Sequence, residues 1–345
     1  MKINLFVTIR EAKEKFKKKI HSKKYDWVEA AAEDGFTNKK NFDDLKSIKV
    51  IPLMLKKPGK ISLRKKFFNT SINSPLICCP MGHQTQFDKD GEIQTARGVY
   101  NAGGISFFGT QSRIALKDIR DKNPNAKIGW LIFPFGNKQW IDKQINDAEK
   151  YRCVALAICL DANIRSNRYQ DLEARYDARN FGRRTNPVSP NSRASDYYDW
   201  SILKYIKKKT KLPLIVKGIL SEDDAKKCIK IGIKNIWISN HGGRMFNSGI
   251  SVTHALKKIS KLKKKSNLMI IADGGIRQGS DIIKYLCLGA DFIGIGRPVI
   301  YGLSLSRNHG VKKIFEILNQ ELYTAMINGG FKNYQSFKFN RLIED

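Results

Sequence analysis

Apolar residues along this chain fall into two regimes. Up to residue 75 they are scattered. From residue 76 they gather into short continuous runs separated by stretches of helical periodicity. The runs are 76–79 (LICC), 104–108 (GISFF), 127–133 (KIGWLIF), 153–160 (CVALAICL), 213–217 (PLIVK), 235–239 (NIWIS), 268–272 (LMIIA) and 291–295 (DFIGI). Between them, apolar positions recur at three- and four-residue steps, as over 140–151, 200–209, 222–231, 251–262 and 279–288, and a last helix is predicted over about 311–327. Strands without polar alternation have both faces buried, the mark of a parallel sheet covered by helices. Eight strand–helix units between residues 76 and 330 match a (β/α)8 barrel in number and length. The alternative, an open doubly wound sheet, needs a reversal of strand order that nothing in the repeat marks.

The flanks are less regular. Residues 1–75 read as a helical and irregular extension packed on the barrel, and 331–345 as a C-terminal tail. Ile9, Ala12, Phe16 and Ile20 share one helical face, and 25–32 read as a short helix stopped near Gly35. The span 36–75 looks irregular, broken at Pro52 and Pro58-Gly59, with room over 61–74 for a small hairpin or edge strands. One connection is anomalous: 162–196, after the fourth strand, has no convincing periodic element. It carries Arg165, Arg168, Arg175, Arg179, Arg183, Arg184 and Arg193, with Pro187 and Pro190. A loop this long in a compact domain is functional or disordered, and after a barrel strand it lies over the active-site face. A lid with a substrate-facing arginine is favoured over a mobile basic insertion.

Composition changes this picture little. The chain has 345 residues, enough for one large barrel, and 41% of them are hydrophobic, above the disordered range. No apolar run approaches the ~20 residues of a membrane span. The first residues lack a signal-peptide core, so a cytoplasmic protein is expected. Six cysteines lie within apolar segments without Cys-x-x-Cys or Cys/His clustering, which predicts reduced core thiols and no metal site. The balance of 63 Lys+Arg against 32 Asp+Glu gives a net charge of +31. Nucleic-acid binding would use such a charge, but the clusters at 17–19, 207–209 and 263–265 fall near helix ends, where lysine suits the dipole. No RNP, helix-turn-helix or zinc-finger pattern accompanies them. No nucleic-acid partner is expected; the charge would draw anionic substrates or surfaces, with peripheral membrane contact among them.

The chemistry collects at strand ends. After the first run comes Pro80-Met81-Gly82, after the fourth Asp161, and at the end of the fifth Lys217. The sixth leads into Ser239-Asn240-His241-Gly242-Gly243-Arg244, where a proton acceptor and a bidentate cation stand three residues apart. The seventh ends in Asp273-Gly274-Gly275-Ile276-Arg277 and the eighth in Gly294-Ile295-Gly296-Arg297-Pro298. Glycine turns, helix N-termini and paired arginines after strands seven and eight are a phosphate site in kind and place. Lys217, in an apolar strand, either pairs with an anion or snorkels to the rim.

These motifs, with Leu212 to Gly218, closely resemble the FMN-dependent α-hydroxy acid oxidases and dehydrogenases, which include glycolate oxidase, lactate oxidase and mandelate dehydrogenase. The resemblance covers about residues 25–340 and is most specific from 200 to 305. It implies FMN as cofactor, with its phosphate on Gly274, Gly275, Arg277, Gly296 and Arg297. Asp273 would meet the ribityl chain, Lys217 the N1/C2 edge, and Pro80, Met81 and Gly82 would lie against the ring near Ser239. His241 would be the base, Asp161 its partner, and Arg244 and Arg168 the clamp on the substrate carboxylate. An L-2-hydroxy acid would become a 2-oxo acid, with oxygen, a quinone or a cytochrome as acceptor, and the resemblance also implies a homo-oligomer, a tetramer.

Departures from the family pattern cluster in the walls. Trp27 stands for a usual tyrosine, and Phe133 lies near another; Gln111 stands for a tryptophan, Leu131 for a glutamine, Cys159 for a threonine and Asn247 for an aspartate. Apolar surface at Trp27 and Phe133 predicts a substrate bulkier than glycolate or lactate. Two alternatives compete with this reading: a flavin barrel that has lost catalysis and serves as a basic binding module, and another phosphate-binding barrel such as a type 2 isopentenyl diphosphate isomerase. The isomerase has no use for a base beside a carboxylate clamp.

Overall fold

The structure, a computed structural model, describes residues 5–56, 59, 61–188, 190 and 198–344. Arg193 and Pro58, both singled out in the sequence, lie outside them. Eight strands form the centre: β1 (Leu76–Cys78), β2 (Ile105–Gly109), β3 (Ile128–Ile132), β4 (Leu156–Cys159), β5 (Leu214–Ile219), β6 (Asn235–Ile238), β7 (Met269–Asp273) and β8 (Phe292–Ile295). Each runs parallel to the next, and β8 closes on β1 through Ile293 beside Leu76 and Ile295 beside Cys78. The (β/α)8 barrel expected from the eight apolar runs is the observed fold.

Strand periodicity divides the core in two. Ile128, Trp130 and Ile132 of β3 belong to the layer under the helices. Their alternates, with Phe107, Ala157, Ile215, Trp237 and Ile271, fill the barrel itself. The N-terminal end is stopped by an antiparallel hairpin, Lys65–Phe67 with Thr70–Ile72. Phe67 is fully buried, its ring centroid 5.0 Å from that of Phe292 at the start of β8 and 6.3 Å from that of Phe107. All six cysteines are free and buried.

Among the described residues, three helices precede the barrel: α1 (Ile9–Lys19), α2 (Ser22–Glu29) and α3 (Phe36–Ser47). Several sequence expectations are corrected here. The helix expected over 25–32 is α2, which starts earlier and ends at the Ala30 cap. The span 36–75 is not irregular throughout, because α3 occupies its first part. The buried residues of α3 are Thr37, Asn41 and Leu45, so the helix has a mostly polar buried face and no apolar spacing to read. The 162–196 connection holds a short helix, Tyr169–Glu173, and a 3-10 turn, Ala178–Asn180. The last helix runs over Arg297–Gly329 and breaks at Ser306 and Arg307, where Arg307 has φ 50°. Leu342–Glu344 returns to pair with Ile48–Val50. Among the described residues, no helix is long and apolar enough to cross a membrane.

Candidate active site

The carboxyl ends of the strands open into a cavity of about 520 Å³. At its floor lies Lys217, aligned in the sheet with Cys159 on one side and Trp237 on the other. It is 3% exposed. Its Nζ donates to Ser239 Oγ at 2.8 Å and stands 3.7 Å from the Asp161 carboxylate and 3.9 Å from that of Asp273. Burial alone would lower the pKa of the amine. The two carboxylates override it and push Lys217 above its ordinary value. Ser239 Oγ in turn donates to Asp273 Oδ1 at 2.9 Å, whereas Asp161 Oδ2 and the Trp237 indole N–H are buried without a hydrogen-bond partner.

The turn after β6 carries three successive left-handed residues: His241 (φ 57°), Gly242 (φ 66°) and Gly243 (φ 73°). Glycine adopts that conformation without strain, and a Cβ on Gly243 would collide with the Asn38 backbone at the start of α3. The turn aims the imidazole at β4, where Nδ1 lies 3.2 Å from Asp161 Oδ1. Cys159 Sγ donates to the same oxygen at 2.9 Å. Burial would raise the Asp161 carboxyl, but the charge of Lys217 and the bond to His241 hold it well below the usual carboxylate range. An ionised Asp161 accepts a hydrogen bond from Nδ1–H, which keeps the proton on that nitrogen and leaves Nε2 with a lone pair, the form of a base. Cys159, Asp161 and His241 are close enough together to hold a metal ion. Their donors are spent on one another, however, and burial pushes the Cys159 thiol far up, which keeps it protonated.

Arginines line one side of the cavity. Arg244 Nη1 donates to the carbonyls of Trp27, Val28 and Ala30 at 3.0, 3.1 and 2.7 Å, and its guanidinium sits 5.2 Å from the Trp27 ring centre. The last carbonyls of α2 have no partners inside the helix and make a natural cation seat. Arg297 shares that seat, through Val28 (2.9 Å) and Ala30 (3.1 Å), and also reaches Asn38. Arg168 stands 3.2 Å from Asp171 and leaves its buried Nε without a hydrogen-bond partner. Burial, then Arg168 and Arg297, push Arg244 well below its ordinary value. Crowded buried cations of this kind are relieved by a bound anion.

The remaining sequence-derived residues also line the cavity. Pro80, Met81 and Gly82 form one edge, and a Cβ on Gly82 would meet the Gln111 carbonyl at 2.7 Å. Gly274 (φ 116°), Gly275 (φ 73°) and Arg277 form another; Arg277 donates to its own Ile276 carbonyl and stands 5.1 Å from the Phe42 ring centre. At Gly296 an added Cβ would meet nothing within 4 Å, so the backbone faces open space. This donor set fits FMN: glycine turns with Arg277 and Arg297 would hold its phosphate, Asp273 the ribityl hydroxyls, and Lys217 the electron-rich edge of the ring. Two features were not read from the sequence. Asn41 of α3 and Asn240 exchange amide hydrogen bonds at 2.9 and 2.8 Å, fixing the start of the His241 turn. His83, in a left-handed conformation (φ 58°), sets its ring edge-on to Trp27 at 5.9 Å with a buried, unpartnered Nδ1. A lone histidine directly after Pro80-Met81-Gly82 was the signal available.

Fold and site together define a barrel oxidoreductase built around a flavin nucleotide. The family model described as FMN-dependent dehydrogenase matches residues 16–343. The chain is 30% identical to human 2-hydroxyacid oxidase 2 over 329 residues, covering 91% of this chain and 92% of that protein. The bovine 2-hydroxyacid oxidase 2 is 28% identical over 351 residues, with 97% and 99% covered. The crystal structure of mandelate oxidase shares the fold at a TM-score of 0.91 and 23% identity, across 99% of both chains. The chain belongs to the FMN-dependent dehydrogenase family. It is an FMN-dependent oxidoreductase acting on CH–OH donors.

Proposed function

We propose that this protein oxidises a 2-hydroxy acid, of the L series by family resemblance, to the 2-oxo acid. The observation that carries the reading is the His241–Asp161 pair beside the crowded arginines Arg244 and Arg168 in one cavity. When bound, FMN supplies the two-electron sink. Arg244 and the unpartnered Nε of Arg168 hold the carboxylate, which sets the hydroxyl-bearing carbon before His241. His241 takes a substrate proton at Nε2, and Asp161 stabilises the imidazolium; a placed base of this sort contributes roughly 10²–10⁴-fold. Lys217 keeps a positive charge on the floor throughout. The names of the human and bovine relatives support the substrate class.

Trp27, Phe133, Phe135, Met245 and Ile164 present apolar surface to the cavity, which suits a bulky side chain on the substrate. Anaerobic mixing of the yellow protein with a panel of 2-hydroxy acids tests both points. Bleaching of the flavin is expected, fastest with aromatic or branched acids, and readmitted oxygen then separates an oxidase from a dehydrogenase that uses another acceptor. A preference for glycolate would overturn the size reading. Tight flavin with no bleaching by any acid, together with salt-sensitive nucleic-acid binding, would favour a basic binding module instead.

A further inference from the structure

Leu53, Met54 and Leu55 are three consecutive exposed apolar residues. Leu53 is 39% exposed, Met54 65%, and Leu55 fully, in a left-handed conformation (φ 54°). A run of this kind on a surface is unfavourable unless something covers it. Backbone hydrogen bonds place two more segments beside it: Leu53 N–H donates to the Gly329 carbonyl, and Ile51 N–H to the Arg341 carbonyl. The second segment adds Phe339 and Ile343, both more than half exposed. None of these residues lines the active-site cavity.

Basic residues dominate around this tip, although Glu344 and Asp345 follow directly on the third segment. Lys49, Lys56, Lys332 and Lys338 are exposed on the same three segments, and residues 49–56, 327–333 and 338–343 contain no Asp or Glu. An apolar tip ringed by lysine matches an anionic bilayer surface, where the side chains enter the acyl boundary and the ammonium groups stay among the phosphates. A second copy of the chain fits worse, because it would bring two lysine rims together on a molecule that already carries +31. Nucleic acid would use the lysines and leave the apolar tip uncovered. We propose that the Leu53–Leu55 tip docks this enzyme peripherally on anionic membrane, independently of which hydroxy acid it oxidises.

The test is co-sedimentation of the FMN-loaded full chain with vesicles of phosphatidylcholine alone or of equal parts phosphatidylcholine and phosphatidylserine. Binding is expected to the anionic vesicles and to weaken with salt. A Leu53→Ser/Met54→Ser/Leu55→Ser variant should lose about tenfold or more in affinity while keeping flavin absorbance and turnover. Lys332→Ala/Lys338→Ala, which leaves the tip intact, should lose about fivefold per lysine. The proposal is overturned if the wild type does not sediment with anionic vesicles, or if the serine variant sediments equally well. It also fails if sedimentation velocity shows that the tip instead joins two copies, with self-association present in the wild type and lost in the serine variant.

Discussion

The role proposed for His241, a base acting at Nε2, requires its proton on the nitrogen facing Asp161. The tautomer is set by one carboxylate oxygen, which also receives the Cys159 thiol, and by a neighbouring ammonium that keeps that carboxylate ionised. His241→Ala is therefore expected to slow flavin reduction by the best substrate about 10²–10⁴-fold and to leave the flavin spectrum intact. Stopped-flow absorbance measures both, and wild-type reduction rates in the variant would remove His241 from the mechanism. At this scale much of the site was legible. Lys217 stood out as a charge in an apolar strand, and His241 with Arg244 as a base and a cation in a glycine turn. What holds Arg244 was not legible, because its partners are main-chain carbonyls of Trp27, Val28 and Ala30, which any sequence at those positions would offer.

Among elements, the stretch from the end of β1 into the next helix, Gly91–Asn101, carries two titrating groups of opposite sense. Burial, then Arg113 and Arg184, push His83 down to about 4 from an ordinary 6.5. The unfolded chain therefore binds a proton between these values that the folded chain refuses, so His83 costs stability as pH falls through that window, by up to about 3 kcal/mol. Glu92 is pushed by burial up to about 7 from 4.5. Its contribution is fully present below pH 4.5 and is lost as pH rises through 7. His83→Gln removes only the first effect. The wild-type unfolding free energy minus that of His83→Gln should then rise by about 3 kcal/mol from pH 4 to 6.5; denaturant melts at several pH values measure it, and a flat difference would mean that His83 ionises freely. Neither shift was legible in the sequence, since the burial of a side chain is a tertiary fact. Helix α3 escaped for a related reason: Thr37 and Asn41 bury their polar groups by bonding to Asn247 and Asn240, so its inner face never looks apolar.

For the molecule as a whole, eight continuous apolar runs sufficed to read the barrel, because strands buried on both faces have no other pattern. Strand count then placed each motif at its own strand end before any distance was known. The excess of lysine carried no such positional information; only the fold gathers Lys49, Lys332 and Lys338 around one apolar tip. The ring stack about Phe67 makes the active site a cul-de-sac. With the far end corked, the oxo acid of the proposed reaction would have to back out through the mouth by which its substrate entered before a bulky acceptor could take its place. On the proposed reaction, turnover would then alternate between two half-reactions in single file. Initial-rate plots at several concentrations of a bulky acceptor should run parallel, and lines that intersect would mean that product and acceptor occupy the enzyme together.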